Sequence, residues 1–152
     1  MKIEQIYTPC LSEASYYIES KGEAAIIDPL REVDFYIEKE RKNNVKIKYI
    51  LETHFHADFV SGHLDLAKKT GAEIVFGPTA KTEFEIKKVS DGEEIELGRI
   101  KIKVLHTPGH TLESTCFLLI DENKKEKALF TGDTLFIGEV GRPDLAIKNE
   151  LN

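Results

Sequence analysis

Apolar positions fall in short runs separated by Gly, Pro and Asp, a pattern that predicts many short strands and few helices. Ile3-Glu4-Gln5-Ile6-Tyr7 reads as a strand ended by Thr8-Pro9. Ser15 to Ile18 and Glu23 to Ile27 read as a hairpin around Lys21-Gly22, and Asp28-Pro29 closes its second strand as a plain turn. Val33, Tyr36 and Ile37 recur at i, i+3 and i+4, predicting an amphipathic helix from about 31 to 43. Ile47 to Leu51 is the next strand and runs into Thr53-His54. A second helix is expected from about 59 to 70, with Val60, Leu64 and Ala67 on its apolar face and Gly71 as its stop. Further strands are expected at Glu73 to Phe76, Glu83 to Val89, Glu94 to Leu97, Ile100 to Leu105, Ser114 to Ile120 and Lys127 to Phe130. Hairpins beside a strand–helix–strand unit favour an α/β layered domain with mixed sheets.

The 152 residues fit one domain with a real core, and 41% hydrophobic content argues against a wholly disordered chain. With 21 Lys+Arg against 27 Asp+Glu, the net charge is −6, which speaks against nucleic acid or an anionic membrane as partner. No apolar run approaches the roughly 20 residues of a membrane span, and no secretory leader is visible at the start. Two cysteines, Cys10 and Cys116, make no disulfide framework, so a reducing cytoplasm is expected. Both are expected to be small buried apolar residues.

All five histidines lie between His54 and His110. In extended backbone, side chains at i, i+2 and i+4 share one side, so His54, His56 and Asp58 are expected to face one cavity at the end of a buried strand. Imidazole and carboxylate together suit iron or zinc. His106-Thr107-Pro108-Gly109-His110-Thr111 occupies a turn between two predicted strands, and Phe130-Thr131-Gly132-Asp133-Thr134 puts an acid just past another strand end. Loops at strand ends are where a rigid scaffold presents ligands. His63 and His106 are expected to have structural roles.

H-x-H-x-D, T-P-G-H-T and T-G-D-T, in this order, resemble the metallo-β-lactamase superfamily. The resemblance implies an αββα sandwich of mixed sheets with metal at one edge. By that resemblance His54, His56, His110 and Asp133 fall on a first metal site and Asp58 on a second. The chain departs from the two-metal pattern: Phe59 stands where a ligand histidine is common, and no histidine follows His110. Two oxygen donors are too few for a tight second site, so one metal per chain is expected.

Two histidines and one carboxylate form the non-heme Fe(II) arrangement. Glu52 to His63, Pro108 to Ser114 and Gly132 to Asp144 resemble the persulfide dioxygenase and rhodanese-associated branch, with Leu112 standing where that branch has Pro. The resemblance implies Fe(II) (alternatively zinc) on His54, His110 and Asp133, and oxidation of a low-molecular-weight thiol persulfide by O₂. Arg142 is implied as a contact for a substrate carboxylate, an ion pair with Asp144 being the competing expectation. A zinc thioesterase of the glyoxalase II kind and a non-catalytic metal-binding fragment are the rivals. Only 19 residues follow Asp133, so the fold is expected to lack its C-terminal part. A homodimer, a rhodanese partner or a longer parent chain is the corresponding expectation.

Overall fold

The computed structural model describes residues 1–143. Asp144 and the last eight residues, on which the expected Arg142 ion pair and the chain-end reading fall, lie outside the described residues.

The first strands form as their sequences dictate. β1 (Lys2–Thr8) pairs antiparallel with β2 (Glu13–Ser20), and β2 with β3 (Glu23–Ile27). Lys21 and Gly22 both take positive φ, +47° and +80°, the geometry whose twist suits a two-residue hairpin. α1 (Asp34–Asn43) crosses to β4 (Lys46–Leu51), which lies parallel to β3. α2 (His63–Thr70) crosses to β5 (Glu73–Phe76), parallel to β4. β6 (Lys87–Lys88) closes a six-stranded sheet in the order β1-β2-β3-β4-β5-β6. β7 (Glu94–Leu97), β8 (Ile100–His106), β9 (Thr115–Ile120) and β10 (Glu126–Phe130) form a second, antiparallel sheet. A small hairpin, β11 (Leu135–Phe136) with β12 (Glu139–Val140), follows.

The central strands are apolar on both faces because both faces are covered. Ile18, Ala25, Ile27, Leu51 and Val75 meet Leu97, Ile102, Val104, Phe117 and Leu119 between the sheets. Tyr17, Ala24, Ile26, Ile50 and Phe76 face Val33, Tyr36 and Leu66 under the helices. A register shift between Ala24 and Ala25 lets Ile47 and Ile50, three positions apart, pack in the same layer. One helical layer and two sheets of the expected αββα sandwich therefore lie among the described residues.

Two expected elements differ. α2 starts at His63, not near 59, and its buried apolar residue is Leu66, while Val60 and Leu64 are 65% and 49% exposed. The chain before it is pinned elsewhere. A Cβ on Gly62 would sit 2.2 Å from the Leu30 carbonyl oxygen, and the Gly62 N–H donates to the Pro29 carbonyl at 3.2 Å. The segment 59–62 is thus held as a loop against the turn after β3. The strand expected over Glu83 to Val89 shrinks to Lys87–Lys88. The preceding Phe84 and Ile86 pack against the helix-side core by their side chains, and a cavity of about 500 Å³ lies between Ile74, Glu85 and Ile86. Cys116 is buried as expected, but Cys10, in the turn Pro9–Leu11, is exposed. That turn stands off the sheet and buries none of its residues.

Candidate metal centre

Three strand ends converge at one edge of the two sheets. β4 delivers Thr53-His54, the β8–β9 turn delivers His110, and the segment after β10 delivers Asp133. One ligand atom each from His54, His110 and Asp133 lies within 4.8 Å of the others. Asp133 Oδ2 is 3.6 Å from His54 Nε2 and 3.4 Å from His110 Nε2. These separations are long for hydrogen bonds. They approach the edge, about 3.3 to 3.4 Å, of a tetrahedron around an ion held at about 2.0–2.1 Å, and exceed the about 2.8 to 3.0 Å of an octahedron.

The ring nitrogens facing away are held. The Thr53 hydroxyl donates to Asp28 Oδ2 at 2.7 Å, so its oxygen is left to accept from His54 Nδ1 at 2.9 Å. His110 Nδ1 donates to the Arg142 carbonyl at 3.1 Å. Both assignments put the proton on Nδ1 and the lone pair on Nε2, aimed inward. The donor set therefore fits a divalent transition metal. The Asp133 carboxyl is held below the usual carboxylate range, chiefly by His54 and against the effect of burial.

The three loops brace one another. Glu113 Oε1 accepts from the Phe55 N–H at 2.9 Å, and the Thr115 N–H donates to the Thr53 carbonyl at 2.8 Å. Gly132 has φ +50°, and a Cβ there would sit 2.4 Å from Thr53 Oγ1. Only glycine fits that approach without strain.

His56 and Asp58 are not members of that three-residue group, although the His56 ring centroid lies 4.2 Å from that of His54. The segment after β4 bends instead of continuing extended, so the two-residue alternation does not carry through it. Asp58 is exposed and belongs to neither potential metal-holding group among the described residues. His56 is buried with Asp28 and Glu13 in the second such group. Its Nε2 is 3.2 Å from Asp28 Oδ1 and 3.4 Å from Glu52 Oε2. Neither contact has hydrogen-bond geometry, so the attraction is that of an ion pair. Burial opposes the imidazolium, but the two carboxylates outweigh it and push the His56 pKa up to about 11. Burial pushes the Glu13 carboxyl up to about 8, and the negative charges of Asp28, Asp133 and Asp58 add to this against the opposing effect of His56.

His63 stands at the start of α2, its Nδ1 3.2 Å from Glu52 Oε1, away from the cluster. The His106 N–H donates to Asp91 Oδ1 at 2.8 Å. Asp28 is more than the plain turn expected, because it accepts from both the Thr53 N–H and hydroxyl. Arg142 is exposed, with its backbone carbonyl beside His110. Glu13, Glu52 and Thr53 carry structural weight that the motif reading passed over.

A two-sheet domain with two histidines and a carboxylate brought together at the sheet edge is an α/β sandwich fitted to hold a metal there. The sequence pattern of the Metallo-beta-lactamase superfamily matches residues 8–151, and the chain belongs to that family. A hydroxyacylglutathione hydrolase of Francisella philomiragia is 36% identical over 135 residues, 86% of this chain and 50% of that protein. A cytoplasmic hydroxyacylglutathione hydrolase of Arabidopsis thaliana is 33% identical over 147 residues, 93% of this chain and 56% of that protein. The chain thus spans about half the length of these curated relatives. Among solved structures, a Staphylococcus aureus metallo-beta-lactamase superposes with TM-score 0.87 at 42% identity, covering 95% of this chain and 47% of that one. ETHE1 from Myxococcus xanthus superposes with TM-score 0.84 at 29% identity, covering 96% and 63%. Among the described residues no helix is long and apolar enough to cross a membrane.

Proposed function

We propose that His54, His110 and Asp133 hold one Fe(II) per chain in an oxygenase acting on the terminal sulfur of a low-molecular-weight thiol persulfide in the cytoplasm. The observation that carries this is the donor set: two Nε2 atoms and one carboxylate oxygen, with Phe59 where a further ligand is common. Fe(II) in such a set supplies open positions and electrons for O₂ chemistry. The balance is R-S-SH with O₂ and water giving R-SH and sulfurous acid, four electrons passing from the terminal sulfur to O₂. The chain's own residues orient and shield. Asp28 and Thr53 fix His54, the Arg142 carbonyl fixes His110, and Phe55 and Phe59 keep the approach apolar. The Arg142 guanidinium is the proposed contact for a substrate carboxylate near the sulfur.

A second reading is favoured by the printed names of the curated relatives: hydrolysis of a hydroxyacylglutathione thioester by a zinc-loaded site. Among the comparisons those names weigh more than the ETHE1 neighbour does. The oxygenase stays first on ligand chemistry alone. The test is to load the chain anaerobically with Fe(II), or separately with Zn(II), and offer glutathione persulfide or a hydroxyacylglutathione. O₂ uptake matched by sulfite, lost in His110→Ala and Asp133→Ala, supports the oxygenase. Thioester cleavage without O₂ uptake replaces it with the hydrolase. Metal bound without either turnover reduces the chain to a metal-binding module.

A further inference from the structure

Three strand ends of the six-stranded sheet meet beside the first centre. β2 begins with Glu13, β3 runs out into Asp28, and His56 follows β4. The pairing of the strands brings them together. β2 is antiparallel to β3, with Tyr16 opposite Ile27, so the start of one lies beside the end of the other. β3 and β4 are parallel, with Ile27 opposite Leu51, so their ends lie side by side. One ligand atom each from Glu13, Asp28 and His56 lies within 4.8 Å of the others, as in the first centre.

The group is buried, and one of its atoms is unmet. The His56 and Asp28 side chains are 3% and 4% exposed. His56 Nε2 is closed off from solvent without a hydrogen-bond partner, and so is the neighbouring Glu52 Oε2. Unmet polar atoms are costly inside a protein and demand an occupant. The surrounding charge says which kind. The Asp28 and Glu52 carboxylates stand 3.2 and 3.4 Å from Nε2. Glu13 and Asp133 line an adjoining cavity of about 270 Å³ that also touches Asp28 and His56. Four carboxyl groups around one imidazole draw a multiply charged cation. The spacing suits one as well. The separation of 3.2 Å between Nε2 and Asp28 Oδ1 is close to the edge, about 3.3 to 3.4 Å, of a tetrahedron around an ion held at about 2.0–2.1 Å.

We propose that Glu13, Asp28 and His56 form a second metal site, taking a divalent transition-metal ion on one imidazole nitrogen and two carboxylate oxygens. The mixed nitrogen and oxygen donors are of the kind that suits zinc, iron or manganese. The site is not the second site that the superfamily resemblance implies, because Asp58 is exposed and belongs to neither group. All its residues come from one sheet, whereas the first centre draws on both. The ion is held more weakly than the first one. It displaces the proton of His56, and it lies near another cation, the His54 and His56 ring centroids being 4.2 Å apart. The proposal does not depend on which reaction the first centre performs.

Equilibrium dialysis of the metal-free chain against rising free Zn(II), followed by elemental analysis, counts the ions. The expected result is one ion bound tightly and a second at higher concentration. Glu13→Gln, which keeps the size of the side chain, should leave the tight step in place and weaken the second by more than about tenfold. His110→Ala should lose the tight step and keep the weaker one. Asp58→Ala should keep both. Saturation at one ion per chain overturns the proposal. So does a second step untouched by Glu13→Gln, which marks adventitious binding at the surface, or one lost in Asp58→Ala, which moves the ion to that exposed acid. Should Glu13→Gln lose the tight step too, anomalous scattering from crystals of the Zn(II)-loaded wild-type chain decides: a second peak beside His56 Nε2 supports the site, and a peak elsewhere or none overturns it. Because no turnover is read, the second site can stand where the oxygenase reaction fails, and the reaction can stand where the site fails.

Discussion

At the residue scale, the hydrogen bond from Thr53 to His54 decides which imidazole nitrogen is free. Removing the Thr53 hydroxyl leaves His54 Nδ1 without its acceptor and Asp28 Oδ2 without its donor. Thr53→Val is therefore expected to weaken metal binding by about 10- to 100-fold, the usual range for a lost outer partner of a ligand, while Thr53→Ser restores it. Competition titration against a chromophoric chelator reads this; equal affinity in Thr53→Val would remove Thr53 from the site's design. Glu13 carries the second prediction. Its carboxyl titrates near 8, raised first by burial, whereas an unfolded Glu titrates near 4.5. Between those values the folded chain keeps a proton that the unfolded chain has lost. Its contribution is complete below about pH 4.5 and is lost as pH rises through 8. The slope is at most about 1.4 kcal/mol per pH unit. Glu13→Gln, neutral throughout, should flatten this fall in urea unfolding of the metal-free chain between pH 5 and pH 8. An unchanged slope would place the titration elsewhere. The meeting of His54, His110 and Asp133 was legible in the sequence because each lies at a strand end. Asp28, Glu13 and Glu52 were not, because their roles depend on strands brought together across the sheet and on burial, which spacing does not encode.

At the scale of elements, the strands with continuous or alternating apolar runs were readable. β1 to β5 and β7 to β10 each fall within two residues of the pattern's limits, at sheet edges as well as in the middle. β6 fell short because it meets only Val75 and Phe76 of the four-residue β5. α2 misled for a different reason. Val60, Leu64 and Ala67 have helical spacing, but the helix begins only at His63, and its face toward the sheet is set by Leu66. Leu66→Ala should accordingly cost about 2–5 kcal/mol, as for a fully buried leucine. Leu64→Ala should change stability by less than about 0.5 kcal/mol. Chemical denaturation of the two variants distinguishes the faces; a reversed order would restore the face that the periodicity predicts.

At the scale of the whole molecule, the metal cluster draws on both sheets. His54 hangs from the six-stranded sheet, whereas His110 and Asp133 hang from the four-stranded one. Among the described residues, the sheets also meet at that edge through the Phe55 N–H to Glu113, Thr115 N–H to Thr53 carbonyl and Thr79 hydroxyl to Leu112 carbonyl hydrogen bonds, and through the close approaches of Gly132 to Thr53 and Gly77 to Thr115. An ion held by all three residues binds the folded arrangement far better than the unfolded chain, where His54 and His110 are 56 positions apart and His110 and Asp133 are 23 apart. It must therefore raise stability by mass action, by about 4 kcal/mol at a free concentration 1,000 times the dissociation constant. For a chain of this size that corresponds to a melting temperature higher by roughly 8–16 °C. Scanning calorimetry over a series of free metal concentrations should show the rise continuing logarithmically beyond saturation. His110→Ala and Asp133→Ala should each remove most of it, from one sheet alone, whereas His63→Ala should leave it intact. A rise that persists in His110→Ala but vanishes in His63→Ala would mean that the ion sits on the Glu52 side of the loop, and that the sheets are not joined through it.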